Sequence, residues 1–388
     1  MELRDNERNI VFASRQSFRI VPDGRQGSVV LKSTRFDESV GNDTGDRELR
    51  GLVEILPNPH GFRLVNEVGL EEYLYGVVSA ALPHGSPSEA YKAQAVFSRT
   101  RTLWTKSHHA ENLERSDLCD SQACQRYAGL SEEMRDAAAG VRATAGVILN
   151  RNGQPAPLLE HDNCGGRTEA GSVLGDPEAA FMTPVSDGER PGSFAAAPDE
   201  LERWTHEYPP ADRYCEASGL TPPVESRWMR MIPASDLAQR ARRLGVIGSL
   251  RGVRALRRSA SGRVLALEVS GSKGSLTLEG AKAISSFLSP GSLRSTLFTV
   301  QPLMDGGKLD LLLVWGAGTG HGVGLCRDGM LGQAAMGKKW QAILAHYFPS
   351  LQLTPDPSAA KAARAAAPAP AALGGRKRPK NPHWPKKK

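Results

Sequence analysis

Two cysteines in the stretch LCDSQACQRY could bind a metal ion or form a disulfide bond. Cys119 and Cys124 have four residues between them. A structural zinc site would need two further ligands, and the nearest histidines, His108 and His109, lie at the end of a predicted helix. Two buried thiols, or a disulfide if the protein is exported, are therefore favoured over a zinc site.

Another cysteine lies close to a histidine in EHDNCGGRTEA, where His161 precedes Cys164 by three residues. A histidine can activate a cysteine nucleophile when the two side chains are within hydrogen-bonding reach. An offset of three residues in a polar turn rarely brings them into that geometry. The spacing therefore weighs against a Cys–His nucleophile.

The glycine-rich stretch LLLVWGAGTGHGVGLCRDG follows a predicted strand, which is where a nucleotide-binding loop would begin. A dinucleotide-binding pattern that starts at Gly316 needs a glycine where His321 stands, and one that starts at Gly318 needs a glycine at Val323. The stretch also lacks Gly-Lys-Ser/Thr. We interpret it as a tight segment with positive φ angles that presents His321, which suits a structural role as well as a functional one.

The elements that would position these residues begin with strands. Short β-forming runs separated by turn residues predict antiparallel strands over residues 1–70. The runs are FRIV, SVVLKS, GLVEIL and FRLV. The next run, YLYGVVS, is expected to be a further strand that Glu72 precedes.

A long helix is predicted to follow. Ser86 suits the N-cap, Pro87 suits the first helical position, and Glu89 completes a capping box. The helix has a buried face with a helical period. That face consists of Ala93, Val96, Phe97, Thr100, Leu103 and Trp104.

Basic residues form a row along the same helix. Lys92, Arg99 and Lys106 recur every seven residues, which stacks them on one side. A solvated face is the usual reason for such a row. Because this row starts beside a proline-framed loop, a site for an anionic ligand is the alternative.

The second half of the chain predicts another block of regular structure. Residues 131–150 predict a helix followed by the strand GVILN, and residues 170–225 a long surface excursion rich in Pro, Gly, Ala and acidic residues. A short helix from Ser235 follows. The block then continues with the hairpin RGVRALRR and RVLALEVSG, the strands SLTLEG and LDLLLVWG, and a closing helix over residues 333–348.

Positive charge is concentrated at the carboxyl end. The chain has a net charge of +7, and residues 361–388 hold nine Lys and Arg and no acidic residue, which leaves −2 for the rest. A body without excess positive charge gives little support to a folded nucleic-acid surface. The Ala/Pro/Lys/Arg composition after Pro355 cannot bury a core and predicts disorder.

No membrane-spanning helix is predicted, because the sequence has no run of about 18 apolar residues. The start, MELRDNERNIVFAS, lacks the apolar stretch of a secretory signal peptide, so a start in the cytoplasm is expected if this is the true start. The five cysteines are too few for a disulfide-built scaffold and decide nothing about redox compartment.

Four ordered motifs resemble the SpoIID/LytB family, the stage II sporulation protein D type of bacterial peptidoglycan enzyme. They are YLYGVVSAALPHGSPSEAYKAQAVFSRT, CDSQACQRYAG, NCGGRTEA and GHGVGLCRDGMLGQAAMGKKWQAILAHYFPS. The segments RVLALEV and LRSTLF also resemble that family's middle part, so the resemblance covers roughly residues 60–350.

The expected fold class is α+β. We expect an antiparallel β-rich domain with one long central helix and a second, smaller β/α block. Residues 1–60 should form an N-terminal β segment packed on the core, 61–353 the SpoIID/LytB-like domain, and 354–388 a disordered basic tail.

The resemblance implies lytic cleavage of peptidoglycan glycan strands, often strands stripped of stem peptides. One carboxylic acid protonates the glycosidic oxygen and then acts as base on the sugar's own 6-hydroxyl, which leaves an anhydro sugar without metal or cofactor. The family's acid lies two residues before the first proline of the loop. In this sequence that position is Ala81, and the flanking match has no gap from Tyr73 to Thr100.

Ala81 removes the acid that the family's reaction requires. A methyl group supplies none of the ~10²–10⁴-fold effect of general acid–base catalysis. Glu71, Glu72 and Glu89 match ordinary family positions. His84 is close in sequence, but its protonated ring is a cation, which makes it a poor substitute for a carboxylic acid.

The other positions carried over from the family are expected to line one groove and bind substrate. They are Lys92, Gln94, Arg99, Gln125, Tyr127, Cys164, Gly165, Gly166, Thr168, His321, Gly322 and Gly324. Some members place a histidine directly before the second cysteine, which would suit zinc. Here that residue is Ala123, so Cys119 and Cys124 would form an incomplete metal site, and no cofactor is expected.

The favoured interpretation is a peptidoglycan-directed cell-envelope protein that binds glycan strands, with cleavage weak or absent because of Ala81. The alternative is an active lytic transglycosylase that uses another acid in cell-wall remodelling or a sporulation-like process. A cell-wall amidase is a further expected partner, and no specific nucleic acid is expected. The family implies the periplasm or the outer face of the membrane, and the tail predicts binding to anionic envelope polymers or a membrane surface.

Overall fold

The computed structural model describes residues 2–4, 7–24, 27–32, 46–59, 61–109, 116–121, 124–188, 198–206, 213–245, 248–288 and 293–356. Ala123 and residues 357–388, which include nearly all of the predicted tail, lie outside these ranges.

Ten α-helices are present in the described part of the chain. They are α1 (Leu70–Ala81), α2 (Ser88–His109), α3 (Arg135–Ala143), α4 (Pro198–His206), α5 (Tyr214–Ala217), α6 (Pro223–Ser226), α7 (Ala234–Arg243), α8 (Gly280–Leu288), α9 (Arg327–Ala335) and α10 (Trp340–Tyr347).

Eighteen short strands accompany them within the same ranges. They are β1 (Glu2–Arg4), β2 (Ile10–Ala13), β3 (Phe18–Ile20), β4 (Val29–Leu31), β5 (Arg47–Leu49), β6 (Leu52–Asn58), β7 (Gly61–Glu67), β8 (Val147–Arg151), β9 (Gln154–Pro155), β10 (Glu160–His161), β11 (Arg227–Pro233), β12 (Leu250–Arg258), β13 (Val264–Gly271), β14 (Gly274–Glu279), β15 (Phe298–Asp305), β16 (Lys308–Ala317), β17 (Leu325–Cys326) and β18 (Gln352–Pro355).

The strands form small, mostly antiparallel sheets. Four sheets have three strands, in the orders β3-β6-β7, β18-β8-β9, β11-β16-β15 and β12-β13-β14. The two-stranded sheets are β1-β2, β4-β5 and β10-β17, and β10 and β17 run parallel. Helices beside antiparallel sheets confirm the predicted α+β class.

The described residues form two large hydrophobic cores and a small third cluster of Leu201, Leu297 and Ala317. The first surrounds α2, whose Ala93, Val96 and Phe97 are fully buried against the helices α1, α3, α9 and α10 and the strand β8. Val29 and Val53 of the N-terminal strands belong to this core. The second core lies between two three-stranded sheets and the helices α7 and α8. The first core therefore holds the long central helix, and the second corresponds to the smaller β/α block.

The run YLYGVVS, expected to be a strand, belongs instead to helix α1. Its apolar residues explain the difference, because they follow a helical period rather than alternating. These residues are Leu70, Tyr73, Leu74, Val77 and Val78, and all pack in the first core. The expected strand is therefore wrong, and the buried run enters the site as a helix.

The N-terminus of α2 also differs from the predicted capping box. The Ser86 hydroxyl donates to the carbonyl oxygen of Pro83 at 2.6 Å. The Glu89 carboxylate accepts a hydrogen bond from the backbone N–H of Trp340 at 3.0 Å and pairs with Lys92 at 2.6 Å. Glu89 therefore ties α2 to the start of α10.

The closing helix predicted over residues 333–348 is two helices, α9 and α10. Gly337 separates them with a φ of 83°, a left-handed conformation that a continuous helix does not contain. This break turns α10 back onto α2.

The segment 170–225, expected to be a surface excursion, includes buried residues. Asp187 and Cys215 are fully buried, and Tyr214 is 4% exposed. The short helix α5 packs closely on α9. Part of this segment therefore belongs to the interior. The sequence did not predict this burial because an irregular backbone gives no periodic signal of it.

In the described part of the chain, no helix is long and apolar enough to span a membrane.

Candidate functional site

A groove runs past Ala81, at the carboxyl end of α1. It consists of two cavities of about 370 and 450 Å³. Both are lined by Ala80, Ala81, Asp162 and Arg327. Ala81, where the resemblance predicts a replaced acid, therefore lies where the two cavities meet.

Parallel pairing of β10 with β17 forms one wall of the groove. His161 is in register with Cys326. The next residue of each strand, Asp162 and Arg327, therefore lies beside the other at the groove. Arg327 Nη2 lies 3.0 Å from Asp162 Oδ1. A pair of two-residue strands thus joins segments that are more than 160 residues apart.

Helix α2 supplies the opposite wall. Gln94, Ser98 and Arg101 lie one turn apart on the same face and line the larger cavity with Glu160. Gln94 Nε2 donates to Glu160 Oε2 at 3.2 Å, and Arg101 Nη1 lies 3.6 Å from Glu160 Oε1. Glu160 is therefore held between an amide and a guanidinium.

The loop after the first two cysteines closes one end. Cys119 and Cys124 form a disulfide bond, and two sulfur atoms bonded to each other offer no thiolate to zinc. The metal site considered for this pair is therefore absent in the oxidised loop. Gln125 lines the larger cavity, and its Nε2 donates to Thr102 Oγ1 at 2.8 Å. Arg126, also in the lining, pairs with Glu132.

Only part of the predicted binding set reaches this groove. Gln94 and Gln125 line it. Arg99 does not, because its side chain is fully buried and its Nε and Nη2 each lie 2.7 Å from a Glu71 carboxylate oxygen. Lys92 pairs with Glu89. The row Lys92, Arg99 and Lys106 is therefore not a continuous solvated face, because Arg99 is buried. It does not form a continuous site for an anionic ligand either, because Arg99 is paired with Glu71.

Two further predicted residues lie outside the lining. Tyr127 is buried against Tyr73, with ring centroids 5.0 Å apart, and burial raises its pKa to about 12. His84 is exposed in the turn before α2 and lines neither cavity. His84 is therefore badly placed to replace the missing acid.

Cys164 and its neighbours lie behind the groove wall, in the interior. Cys164 is fully buried, which excludes the accessible nucleophile that a Cys–His pair would need. Gly165 and Gly166 have φ angles of 71° and 107°, and a Cβ on Gly166 would overlap the ring of Trp204. Thr168 Oγ1 accepts the backbone N–H of Val185 at 2.7 Å. The predicted binding residues of this turn therefore pack in the interior and do not line the groove.

The predicted glycine segment around His321 has the expected backbone. Gly318, Gly320, Gly322 and Gly324 all have positive φ, between 73° and 98°. A Cβ on Gly322 would overlap the guanidinium of Arg263, and one on Gly324 the carbonyl of Leu159. These glycines therefore allow close packing.

His321 itself is exposed on its outer side, and its Nδ1 accepts the backbone N–H of Val323 at 3.0 Å. Surrounding protein desolvates the ring and, with the nearby His161 and Arg263, lowers its pKa to about 4. The ring centroids of His321 and His161 are 5.8 Å apart. His321 therefore lies next to a groove residue but does not line either cavity.

Sequence reasoning missed the charged residues of the groove. They are Arg101, Arg126, Glu160, Asp162, Glu225, Arg327 and Asp328. The available signal was the polar sequence Glu160-His161-Asp162 directly before NCGG, and Arg327 directly after Cys326. Neither stretch has a sequence periodicity that would predict its contact with the other. The site is therefore evident only in the tertiary structure.

The groove offers alternating donors and acceptors, with a methyl group at its centre. Amide side chains and guanidinium groups can hydrogen-bond sugar hydroxyls and acetamido groups. Both Glu160 and Asp162 make ion pairs with arginine. The arrangement suits binding of a polar, uncharged or weakly anionic chain.

Two family models match this chain. Residues 58–150 match the model described as SpoIID, Stage II sporulation protein, and residues 225–324 match a domain of unknown function, DUF8618. The first match covers α1, α2 and α3, and the second covers most of the second core. The SpoIID match is shorter than the 60–350 resemblance read from the sequence.

The chain is also similar to an uncharacterized protein of Brachyspira hyodysenteriae. The two are 24% identical over 353 residues, which cover 88% of this chain and 83% of the relative. The SpoIID match supports a role related to the cell wall and an association with the cell envelope. Residues 58–150 thus support the predicted recognition, because they are similar to the SpoIID family model.

Proposed function

We propose that this protein binds peptidoglycan glycan strands in the groove around Ala81, and that it cleaves them weakly or not at all. The observation that carries the proposal is the location of Ala81. It lies where a mainly polar cavity meets one with a mixed polar and apolar lining, at the position where the SpoIID/LytB motif is expected to have its acid.

The lining supports glycan as the ligand. Glycan strands present hydroxyl and acetamido groups, which pair with amide and guanidinium side chains such as Gln94, Gln125 and Arg126. Two joined cavities form an extended track, which suits a polymer better than a compact metabolite.

Weak or absent cleavage follows from the missing proton donor. The reaction needs a carboxylic acid that holds a proton near the glycosidic oxygen. Ala81 cannot hold one. Of the carboxylates that line the two cavities, Glu160, Asp162 and Glu225 form ion pairs with arginine, an arrangement that suits their charged form. The fourth, Asp328, is 3% exposed and accepts a hydrogen bond from Asn163, and burial raises its pKa to about 7.

A second candidate is an active lytic transglycosylase that uses Asp162. The observation in its favour is that Asp162 lines both cavities together with Ala81. Its pairing with Arg327 would have to break when glycan binds. Asp162→Asn separates the two candidates, because it would abolish cleavage under the second and leave binding largely intact under the first.

Blocking the groove should abolish glycan binding. Ala81 is half-buried, so Ala81→Trp should place an indole in the track without disturbing the core. We expect pull-down on denuded glycan strands to fall at least about tenfold, or 1.4 kcal/mol in binding free energy. Mass spectrometry of the supernatant should show few anhydro-ended fragments from the wild-type protein.

The matched control is His84→Trp, three residues along the chain, exposed and outside the groove lining. It should bind glycan as the wild type does. Equal loss in both variants, or no loss in Ala81→Trp, would show that glycan does not bind here. Abundant anhydro-ended products would instead support the second candidate.

The proposal extends to partners outside the groove. The nine basic residues of 361–388 are suited to anionic envelope polymers or a membrane surface, and a cell-wall amidase is a second proposed partner. Deleting residues 357–388 should lower the protein's envelope association in fractionated cells. The effect should shrink as salt increases, because the attraction is screened. Unchanged association would refute the role of the tail, and an unchanged melting temperature of the variant is the control.

A further inference from the structure

Three cysteines and a histidine lie in two overlapping groups in the interior behind the groove wall, and one of the four, His161, also lines the larger cavity. Cys164, Cys215 and Cys326 are each fully buried and unbonded to one another, and His161 is 5% exposed. A ring nitrogen of His161 and the Sγ atoms of Cys164 and Cys326 all lie within 4.8 Å of one another. Cys164 and Cys215 form a second such group with Asp187.

The hydrogen bonding of His161 leaves its Nε2 atom available as a metal ligand. Its Nδ1 lies 3.1 Å from the carbonyl oxygen of Val323, which can only accept, so Nδ1 must carry the proton. Nε2 then has a free lone pair, and it is buried without any hydrogen-bond partner. A buried nitrogen without a partner costs free energy, and a bound metal ion would remove that cost. Metal-bound histidines characteristically donate their other N–H in this way.

Two of the three sulfur atoms accept backbone N–H groups, as thiolates do. Cys326 Sγ accepts the backbone N–H groups of Cys164 at 3.2 Å and Gly329 at 3.4 Å, the latter at the N-terminus of α9. Cys164 Sγ accepts the N–H of Gly166 at 3.3 Å. Hydrogen bonds of this kind stabilise negative charge on sulfur.

Buried groups of both signs surround the cluster: the guanidinium of Arg263, and the carboxyl groups of Asp187 and Asp328, whose pKa values burial raises to about 7. Arg263 is 2% exposed, and its Nη2 donates to the carbonyl oxygen of Cys164 at 2.9 Å. A divalent ion with three thiolates and one neutral imidazole has a net charge of −1. The buried guanidinium offsets that charge.

We propose that Cys164, Cys215, Cys326 and His161 bind one zinc ion in a structural, tetrahedral site. Three sulfur ligands and one imidazole are a common zinc donor set, and four protein ligands leave no position for substrate. On binding, the three thiols release their protons to solvent and the sulfurs become thiolates.

His161 is a better fourth ligand than Asp187. The Asp187 carboxylate already accepts the backbone N–H of Cys215 at 2.9 Å and the hydroxyl of Tyr347. Asp187 would therefore hold the Cys215 loop in place beside the ion. The site would tie together the segment after β10, the helix α5 and the start of α9.

The test measures the metal content and the cobalt spectrum of the full-length protein. Purified without chelator under mild reduction, it should contain one zinc per chain by elemental mass spectrometry. Replacement by Co²⁺ should give the intense visible bands of tetrahedral cobalt and a near-ultraviolet thiolate-to-cobalt band. Cys326→Ser and Cys215→Ser should reduce bound metal at least about tenfold relative to the wild type, the loss typical of a disrupted metal site.

Two matched controls locate the ion. The double variant Cys119→Ser/Cys124→Ser removes the other cysteines and should keep full metal content, and Asp187→Asn should keep the cobalt spectrum. His161→Gln should change that spectrum. A metal-free wild type that gives no tetrahedral cobalt spectrum would overturn the proposal, and this readout needs no variant to fold. Loss of metal in the double variant, with retention in Cys326→Ser, would also overturn it.

Discussion

Replacing Ala81 with glutamate should give this protein glycan cleavage at least about 10²-fold above the wild-type rate. General acid–base catalysis is worth ~10²–10⁴-fold when the group is correctly placed. Position 81 is the one at which the SpoIID/LytB motif has its acid, and the surrounding sequence matches without a gap. We therefore expect the rest of the site to support a restored carboxyl group.

The structure provides space for the new side chain. Ala81 is half-buried at the last position of α1 and opens on cavities of about 370 and 450 Å³. A glutamate there would extend into the groove without displacing core residues. It would also lie near Asp162, so like charge in a partly enclosed site should favour protonation of one of the two carboxyl groups.

The measurement is the rate at which denuded glycan strands release anhydro-ended fragments. Ala81→Gln is the matched control, because it has the same shape and hydrogen-bonding reach but cannot donate a carboxyl proton. Cleavage by Ala81→Glu and not by Ala81→Gln would show that only the acid is missing. If neither variant cleaves while both still bind glycan, the groove has lost more than its acid.

Replacing Arg99 with methionine should destabilise the fold by about 3 kcal/mol. Breaking a buried ion pair typically costs about 3–5 kcal/mol, because one charge remains without its partner. The lower end applies here, since the side chain of Glu71 is 34% exposed and can regain water. Arg99 also donates to the carbonyl oxygens of Val147 and Val141, which would lose their partner.

Urea unfolding measures this loss as a lower midpoint with an unchanged slope. Lys106→Met is the matched control on the same helix. Its pair with Asp117 has both side chains more than half exposed, so we expect a change of at most about 1 kcal/mol. Equal midpoints for the two variants would mean that Arg99 is not a structural residue.

Much of the fold follows from local sequence patterns. The helical period after Ser86 predicted α2, short β-forming runs between turn residues predicted β3, β4, β6 and β7, and the hairpin of β12 and β13 was evident from its two apolar runs. Helix α1 was predicted wrongly, because a short, nearly continuous apolar run resembles a buried strand unless its period is counted.

The candidate site was predictable only in part. The motif around Ala81 predicted a site in this region, and Ala81, Gln94 and Gln125 do line the groove, whereas the replacement of an acid at position 81 stays a prediction. Arg99 was misassigned because helical spacing shows which residues share a face, but not which neighbouring element covers that face. Its partner Glu71 lies 28 residues earlier, on another helix.

The sequence by itself determined the elements whose period is local and the glycines whose positive φ the turns require. Tertiary structure alone decided the polar wall of the groove and the thiol cluster. Asp162 meets Arg327, and Cys164 meets Cys326, through the parallel pairing of β10 with β17. Each of those strands is two residues long, and no local pattern encodes a contact between segments so far apart, because the pairing depends on how the packed helices bring them together.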